Sequence, residues 1–286
     1  MAAFGRHYEI APTLTAQPLS CMRRGKRQDV TCGDRVSYCH TGPDQGVIES
    51  VHPRTSLLYR ADAHREKLLA ANVTQVLVVV APEPTYHDEL LSRCLIAAEA
   101  AGIPAAIVLN KSDLGLVAEE AAQALGYYDA LGYPVIHLSA LQNVTPLQPV
   151  LDRQLSILVG QSGMGKSTLI NALKPNAAAR TAAISRVLDS GKHTTTATRC
   201  YPLQEGSALI DSPGLQGFGL AYLGAHTLIR YFREFSALEG QCRFSDCRHL
   251  HEPGCALKQW AEGHPRRELR LRYLTTLQQE NRRQRY

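Results

Sequence analysis

An eight-residue segment, Gly160–Ser167, constrains the fold of this 286-residue chain more than any other part of the sequence. It reads GQSGMGKS and fits the pattern GxxxxGK[ST] of a phosphate-binding loop, or P-loop. The apolar segment LSILV precedes it, and STLINAL, which has helical spacing, follows it. In such a strand–loop–helix unit the glycines let backbone N–H groups surround a phosphate, and the helix N-terminus adds positive charge. The segment therefore predicts an α/β nucleotide-binding fold.

Side chains of this loop have predicted roles in phosphate chemistry. Lys166 is expected to contact the β- and γ-phosphates, and Ser167 to bind Mg²⁺. A glycine-rich turn without a ligand is the alternative interpretation. The predicted nucleotide-contacting residues are Gly160, Gln161, Ser162, Gly163, Met164, Gly165, Lys166, Ser167 and Thr168.

A second segment predicts the base. Asn110-Lys111-Ser112-Asp113 fits the pattern NKxD and follows the apolar segment AAIVL. Guanine presents two donors, N1–H and N2–H₂, on one edge, and the carboxylate of Asp113 can accept from both. Adenine lacks this donor pair, so a buried carboxylate beside it would stay unpaired. Asn110 would brace the loop or contact the purine, and the Lys111 stem can lie over the ring.

Two further segments follow apolar strands. Ser139-Ala140 follows PVIHL and is expected to support the guanine through backbone N–H groups; a small-residue turn is the alternative. Asp211-Ser212-Pro213-Gly214 follows ALI and fits DxxG. Asp211 should hold Mg²⁺ through water, and the Gly214 N–H should contact the γ-phosphate.

The segment GKHTTT at 191–196 lies between the P-loop and DSPG, where a loop must supply a threonine to Mg²⁺ and the γ-phosphate. Thr194 and Thr195 are the candidates. Ras-type enzymes place a glutamine after DxxG to orient the attacking water, but Leu215 stands there and cannot. We therefore expect slow intrinsic hydrolysis, with His193, or secondarily Gln216, positioning the water. Alternatively, His193 is a loop residue without a catalytic role.

The order of these motifs is unusual. A Ras-like chain reads P-loop, threonine loop, DxxG, NKxD and SA, whereas this chain reads NKSD, SA, P-loop, threonine loop and DSPG. A cyclic rotation preserves the site if the former termini are joined. Strands also alternate with helices here, which predicts a mostly parallel sheet that binds ligands at its strand C-termini. Residues 63–224 are therefore predicted to form a circularly permuted P-loop GTPase domain.

The two ends of the chain differ from the centre in their sequence pattern and in their net charge. Residues 1–62 show short alternating segments typical of an all-β barrel or sandwich, and 225–286 is predicted to be α-helical. Residues 1–60 carry a net charge of +3, 242–286 carry +5, and 61–241 carry −3. Basic ends indicate a polyanionic partner, although ordinary surface charge explains them equally well. The candidate phosphate-contacting residues are Arg23, Arg24, Lys26, Arg27, Arg266, Arg267 and Arg270.

The chain shows no signal peptide and no apolar run of membrane-spanning length, so we expect a cytoplasmic protein without disulfides and without a membrane partner. Five scattered cysteines, at 21, 32, 39, 94 and 200, are interpreted as small buried apolar residues. Three others form the pattern Cys242-x4-Cys247-x-His249-x5-Cys255, which can close a tetrahedral, structural Zn²⁺ site. His251 is a competing ligand, and three free thiols are the alternative.

Together these features resemble the RsgA (YjeQ) family of small ribosomal subunit biogenesis GTPases. The resemblance rests on VTCGDRV, AAIVLNKSDL, GQSGMGKSTLINAL, GKHTTTATR, LIDSPGLQGFGL and CRFSDCRHLHEPGCAL, and it covers nearly the whole chain. It implies an N-terminal OB-fold, the 30S subunit and its 16S rRNA as partners, and GTP hydrolysis to GDP stimulated by the subunit. It also implies roles for His193 and for the apolar Leu215. We expect a monomer that does not bind DNA.

Two other functions fit parts of the pattern. A non-catalytic, GTP-dependent RNA-binding module would agree with Leu215 but not with Lys166, Ser167 and the threonine loop. A P-loop kinase of small molecules would not explain the NKSD segment.

Overall fold

The N-terminal part of the chain is rich in β-strands in the computed structural model, which describes residues 2–4, 7–11, 13, 17–24, 30–62, 65–175, 198–204, 206–212 and 219–283. Strands β1, β2 and β3 form an antiparallel ladder, β5 pairs parallel with β3 and antiparallel with β4, and β6 and β7 form a hairpin. The strands are β1 (Ala2–Phe4), β2 (His7–Ile10), β3 (Leu19–Arg23), β4 (Val36–Gly42), β5 (Gln45–Val51), β6 (Leu57–Asp62) and β7 (Arg65–Ala71). The predicted β-rich N-terminus is confirmed, and the barrel stays a prediction.

A mostly parallel sheet forms the centre of the molecule. Its strands are β8 (Gln75–Val80), β9 (Ala105–Leu109), β10 (Val135–His137), β11 (Leu155–Val159), β12 (Arg199–Pro202) and β13 (Ala208–Asp211). They lie in the order β10-β9-β8-β11-β13-β12, and only β12 runs antiparallel to its neighbour β13. The strand that enters the P-loop, β11, is therefore flanked by parallel strands on both sides.

The central strands are buried on both faces because helices cover both. In β8, Val76 and Val78 face one apolar cluster, and Leu77 and Val79 face the other. The helices are α1 (Asp88–Ala100), α2 (Leu116–Ala130), α3 (Gln148–Leu151) and α4 (Lys166–Leu173). This alternation explains why these segments read as continuous apolar runs rather than as half-buried strands.

The C-terminal part is helical, as predicted, and within its described residues it contains no strand. Its helices are α5 (Arg233–Ser236), α6 (Ala256–Ala261) and α7 (Pro265–Arg283). Buried residues of this part, including Phe235, Leu257, Leu274 and Leu277, belong to the same apolar cluster as one face of β8 and β9. The C-terminal helices therefore share their core with the central sheet.

The N-terminal strands are also joined to the central sheet, because β1 pairs with β12 through Ala2 and Arg199. Within the described parts of the chain, one sheet of eleven strands results. The predicted boundary at residue 62 falls inside the β6–β7 hairpin, since β7 continues to Ala71. The division into three domains stays a prediction.

The scattered cysteines are not uniformly buried. Cys21, Cys32 and Cys94 are buried and Cys200 is partly buried. Cys39 is exposed, where its thiol donates to Glu49 at 3.1 Å, so its interpretation as a buried apolar residue is wrong. Cys39 begins a run of three exposed residues in β4, Cys39 to Thr41.

Candidate nucleotide and metal sites

The predicted nucleotide-binding segments follow the carboxyl ends of neighbouring parallel strands. Residues 110–113 follow β9, Ser139 lies two positions beyond β10, the P-loop follows β11, and Asp211 is the last residue of β13. Carboxyl ends of parallel strands meet at one edge of a sheet, where open α/β sheets bind ligands. The described parts of four motifs therefore lie together despite their rotated order in the sequence.

The P-loop makes close backbone contacts that require glycine. Gly160 and Gly165 have φ angles of 148° and 87°, a region that other residues rarely adopt. A Cβ atom at Gly160 would lie 2.3 Å from the Val79 carbonyl oxygen. A Cβ atom at Gly165 would lie 2.3 Å from Nδ2 of Asn110. The glycines therefore allow the loop to approach β8 and the NKSD segment.

Asn110 links three parts of the site. Its Nδ2 donates to the carbonyl oxygen of Met164 in the P-loop, and its Oδ1 accepts the backbone N–H of Ala140, both at 2.9 Å. The side chain is buried, so both bonds are shielded from water. Asn110 thus braces the P-loop and the Ser-Ala turn, and the Ala140 N–H expected to support guanine points to Asn110 instead. The neighbouring Ser112 and Asp113 are exposed.

Lys166 and Asp211 interact electrostatically beneath the P-loop. The Lys166 ammonium donates to the carbonyl oxygens of Gly160 and Gln161 at 2.8 and 2.9 Å. Burial lowers the pKa of Lys166, and the charge of Asp211 opposes this shift. Burial raises the pKa of Asp211 to about 6, opposed by Lys166. Ser212 holds the end of β13 in place by donating to the Leu158 carbonyl at 2.7 Å.

The connection between β8 and α1 also borders the site, although no sequence motif marked it. Lys111 Nζ donates to the Glu83 carbonyl at 2.5 Å, and the His87 N–H donates to Oε1 of Gln161 at 3.2 Å. The segment 82–87 therefore touches both the NKSD segment and the P-loop. Its position directly after an apolar strand, like the four predicted motifs, is the signal that could have identified it.

Some predicted site residues lie outside the described part of the chain. These are His193, Thr194 and Thr195 of the threonine loop, together with Gly214, Leu215 and Gln216. Their predicted roles stay predictions.

The Cys/His cluster has the geometry of a four-ligand metal site. The ligand atoms of Cys242, Cys247, His249 and Cys255 all lie within 4.8 Å of one another. Nδ1 of His249 lies 3.6, 3.6 and 3.4 Å from the sulfurs of Cys242, Cys247 and Cys255. Ligands around a tetrahedral Zn²⁺ are separated by roughly 3.5–3.8 Å, given the usual Zn–N and Zn–S distances. The competing candidate, His251, is not part of the cluster.

Burial affects the protonation of this cluster. It raises the pKa of Cys247 to about 12, raises the pKa of Cys255 and lowers the pKa of His249. Without a metal, a neutral imidazole therefore faces the protonated thiols of Cys247 and Cys255. A divalent cation would supply the positive charge that thiolates need here.

Glu252 braces the loop that carries His249. Its carboxylate accepts the backbone N–H groups of Arg248, Leu250 and His251 at 3.0, 3.0 and 3.1 Å. Its own backbone N–H, and then those of Arg248, Leu250 and His251, lower the pKa of Glu252 to about 2. The sequence analysis missed this residue because a carboxylate inside a Cys/His loop reads as a surface charge.

One candidate for phosphate contact is contradicted by the structure. The side chain of Arg270 is only 2% exposed and forms an ion pair with Glu234, which is 1% exposed. Arg266 is partly buried and pairs with Asp88 at 2.5 Å. Arg270 therefore cannot reach an external phosphate, because the helix turns it into the core.

Among the N-terminal candidates, Arg24 is exposed, and Lys26 and Arg27 lie outside the described residues.

Among the described helices, none is long and apolar enough to cross a bilayer.

Comparison with known sequences gives consistent matches. A family model described as RsgA GTPase matches residues 51–221. The small ribosomal subunit biogenesis GTPase RsgA of Nitrosospira multiformis is 50% identical over 257 residues, which are 90% of this chain and 82% of that protein. The protein of the same name from Burkholderia pseudomallei is 51% identical over 261 residues, with 90% and 83% covered.

Two solved structures resemble this fold. The crystal structure of YjeQ from Thermotoga maritima has a TM-score of 0.71 and 29% sequence identity, and the match covers 93% of this chain and 91% of that one. YloQ, described as a circularly permuted GTPase, has a TM-score of 0.67 and 24% identity, with 98% and 93% covered, and this likeness concerns the fold alone.

Proposed function

The chain belongs to the RsgA GTPase family, and we infer from this that it hydrolyses GTP in the biogenesis of the small ribosomal subunit. The structural observation that carries this inference is the joining of the P-loop, the NKSD segment and the Ser-Ala turn by Asn110. A glycine-rich turn that binds no ligand does not require a buried side chain that joins it to two other strand-end loops. The kinase and the non-catalytic module are not favoured.

Guanine recognition is assigned to the exposed end of the NKSD segment. Asp113 would accept the N1–H and N2–H₂ groups of guanine, since its carboxylate is exposed beside the fixed Asn110. The Lys111 stem would lie against the ring while its ammonium holds the Glu83 carbonyl. Ser112 and Ser139 would complete the base pocket, and Ala140 would border it while its N–H stays bonded to Asn110. Because Asp113 has only acceptors to offer, adenine would leave its carboxylate unpaired.

Phosphate binding is assigned to the P-loop, residues 160–168, with Lys166 on the β- and γ-phosphates. Triphosphate oxygens would provide the negative charge that the buried ammonium lacks. The oxygen-rich set of Ser167, Asp211, Thr194 and Thr195 fits a Mg²⁺ ion, which would neutralise charge on the phosphates when bound. Gly214 would contact the γ-phosphate, and His193 would orient the attacking water because Leu215 cannot.

The Cys/His cluster would hold one structural Zn²⁺. Three thiolates and one imidazole fill four coordination positions, so no position remains open for a substrate. The ion would fix the loop between α5 and α6 rather than take part in hydrolysis.

We propose the 30S subunit and its 16S rRNA as the partner, with hydrolysis stimulated by the subunit. The exposed Arg24, Arg243 and Arg248 offer guanidinium groups for phosphate contacts at both ends of the chain. The N-terminal strands would act as an OB-fold module in this contact. A cytoplasmic monomer that binds neither DNA nor membranes agrees with this role.

The test is steady-state phosphate release from GTP and ATP, with and without purified 30S subunits, for wild type and Ser167→Ala. We expect slow turnover of GTP only, a many-fold increase with subunits, and loss of turnover in the variant. Turnover that subunits do not change would remove the ribosome from the proposal, and absent turnover under all conditions would remove the GTPase activity.

A further inference from the structure

The C-terminal helix α7 contacts the start of helix α1, which borders the P-loop. Arg266 Nη2 donates to Asp88 Oδ1 at 2.5 Å, and Arg270 donates to Ser92 Oγ. Toward its other end, Glu280 accepts two hydrogen bonds from Arg93 at 2.7 and 2.8 Å. The residue before Asp88 is His87, whose N–H donates to Gln161 in the P-loop. Helix α7 is thus connected to the P-loop through the neighbouring residues Asp88 and His87.

The last turns of α7 hold a second element of the site. Asn281 is 1% exposed, and its Nδ2 donates to the carbonyl oxygens of Leu220 and Leu223, both at 2.9 Å. These leucines follow the DSPG motif by only six and nine positions. Buried backbone carbonyls are costly to leave unpaired, so Asn281 fixes the path of the chain that leaves this motif.

Helix α7 also packs on the part of the chain that carries the Cys/His cluster. Leu257 of α6 shares an apolar cluster with Leu274 and Leu277 of α7. Arg267 donates to the Trp260 carbonyl at 3.2 Å and lies over the Trp260 ring at 4.5 Å. The same ring meets Phe235 edge-on at 5.3 Å. A shift of α7 would therefore be felt at Trp260.

We propose that α7 couples the nucleotide site to the Cys/His part of the protein, with Asn281 as the positioning residue that holds the chain after DSPG to the helix. This inference rests on the proposed GTP-binding function. GTP and GDP differ only at the γ-phosphate, which the DSPG motif is predicted to contact. A change there is transmitted through Leu220 and Leu223 to α7, and by linkage a partner on the Cys/His part changes the preference for GTP over GDP.

The test uses Trp260, the only tryptophan in the chain, as a reporter that lies outside the nucleotide site. Tryptophan fluorescence of the full zinc-loaded protein is recorded with Mg²⁺ and saturating GDP or a non-hydrolysable GTP analogue. We expect the emission of the wild type to differ between the two nucleotides. Equal emission in both complexes, with binding of both established separately by a radiolabelled-nucleotide assay, overturns the coupling and leaves the GTPase proposal intact. Failure to bind either nucleotide refutes the proposed function itself.

Two leucine variants test the role of Asn281. Asn281→Leu removes the two hydrogen bonds, and we expect loss of the emission difference with nucleotide binding retained. Gln278→Leu is the matched control, because Gln278 is 4% exposed on the same helix and its Oε1 has no hydrogen-bond partner among the described residues. This control should keep the full difference. A folded Asn281→Leu protein that keeps the difference, or an equal loss in both variants, contradicts the role of Asn281.

The wild-type measurement decides the coupling even if Asn281→Leu does not fold. In that case Asn281→Ser, which shortens the side chain and keeps a donor, is measured instead at a temperature below its unfolding transition. Its emission difference should fall below that of Gln278→Leu, and an undiminished difference contradicts the role of Asn281.

Discussion

Replacing Arg270 by methionine should destabilise the protein strongly, because the change leaves a buried carboxylate without its partner. Arg270 Nε donates to Glu234 at 2.5 Å, and both side chains are almost fully buried. Arg270 donates to Oε1, and the other carboxylate oxygen, Oε2, has no hydrogen-bond partner among the described residues. Removing one member of a buried ion pair typically costs about 3–5 kcal/mol.

The size of this loss follows from the burial of the pair. For a chain of this length, a loss of about 3–5 kcal/mol corresponds to a fall in Tm on the order of 10 °C. Replacing both charged side chains by apolar ones removes the unpaired charge, because no buried carboxylate then remains.

Thermal unfolding at pH 7 measures this effect. We expect Arg270→Met to lower Tm by on the order of 10 °C. Arg272→Met is the matched control, since Arg272 lies on the exposed side of the same helix and should change stability by less than about 0.5 kcal/mol. The double variant Arg270→Met, Glu234→Met should recover most of the loss. Equal Tm values for the two single variants, or a double variant no more stable than Arg270→Met, would refute the reasoning.

Three further predictions follow from the described sites. Asp113→Asn should weaken GTP binding by roughly 10²–10⁴-fold, because two hydrogen bonds to a charged acceptor are lost. The variant should instead favour xanthosine triphosphate, whose ring carries an acceptor in place of the N2 amino group. Competition binding with both nucleotides measures this preference. Gly165→Ala should lose nucleotide binding and stability, since its Cβ would lie 2.3 Å from Asn110 Nδ2 at a φ of 87°; calorimetry against Gly126→Ala, whose Cβ meets nothing within 4 Å, provides the comparison. Zinc binding to the metal-free protein at pH 7.5 should release at least about two protons, because burial raises the pKa values of Cys247 and Cys255. The affinity for zinc should therefore fall as the pH falls. Titration calorimetry in buffers of different ionisation enthalpy counts these protons, and proton uptake would contradict the assignment.

The parts of the fold that the sequence predicts well are those where chemistry restricts the residue type. The P-loop needs glycine at Gly160 and Gly165 because the backbone passes close to neighbouring loops, and this requirement is visible in the sequence. The Cys/His spacing is equally restrictive. The central strands were predictable because burial on both faces gives continuous apolar runs.

The long-range polar contacts could not be predicted in this way. Helix α7 was correctly predicted to be helical, but its buried positions include Arg270, Gln278 and Asn281, so the helix reads as solvent-exposed. The partners of Arg270 lie at positions 92, 128 and 234, and no local pattern connects them. The same holds for Gln161 and His87, whose contact depends on the packing of two neighbouring strands.

The pairing of β1 with β12 affects how the chain can fold during synthesis. Strand β1 cannot pair with β12 until Arg199 has left the ribosome, which is nearly 200 residues after Ala2. Until then the strand at the chain's beginning has an open edge, which can pair with other chains. The rotated motif order also places the NKSD segment before the P-loop in the chain, so it is synthesised first. A nascent chain therefore cannot gain stability from GTP until most of it has left the exit tunnel.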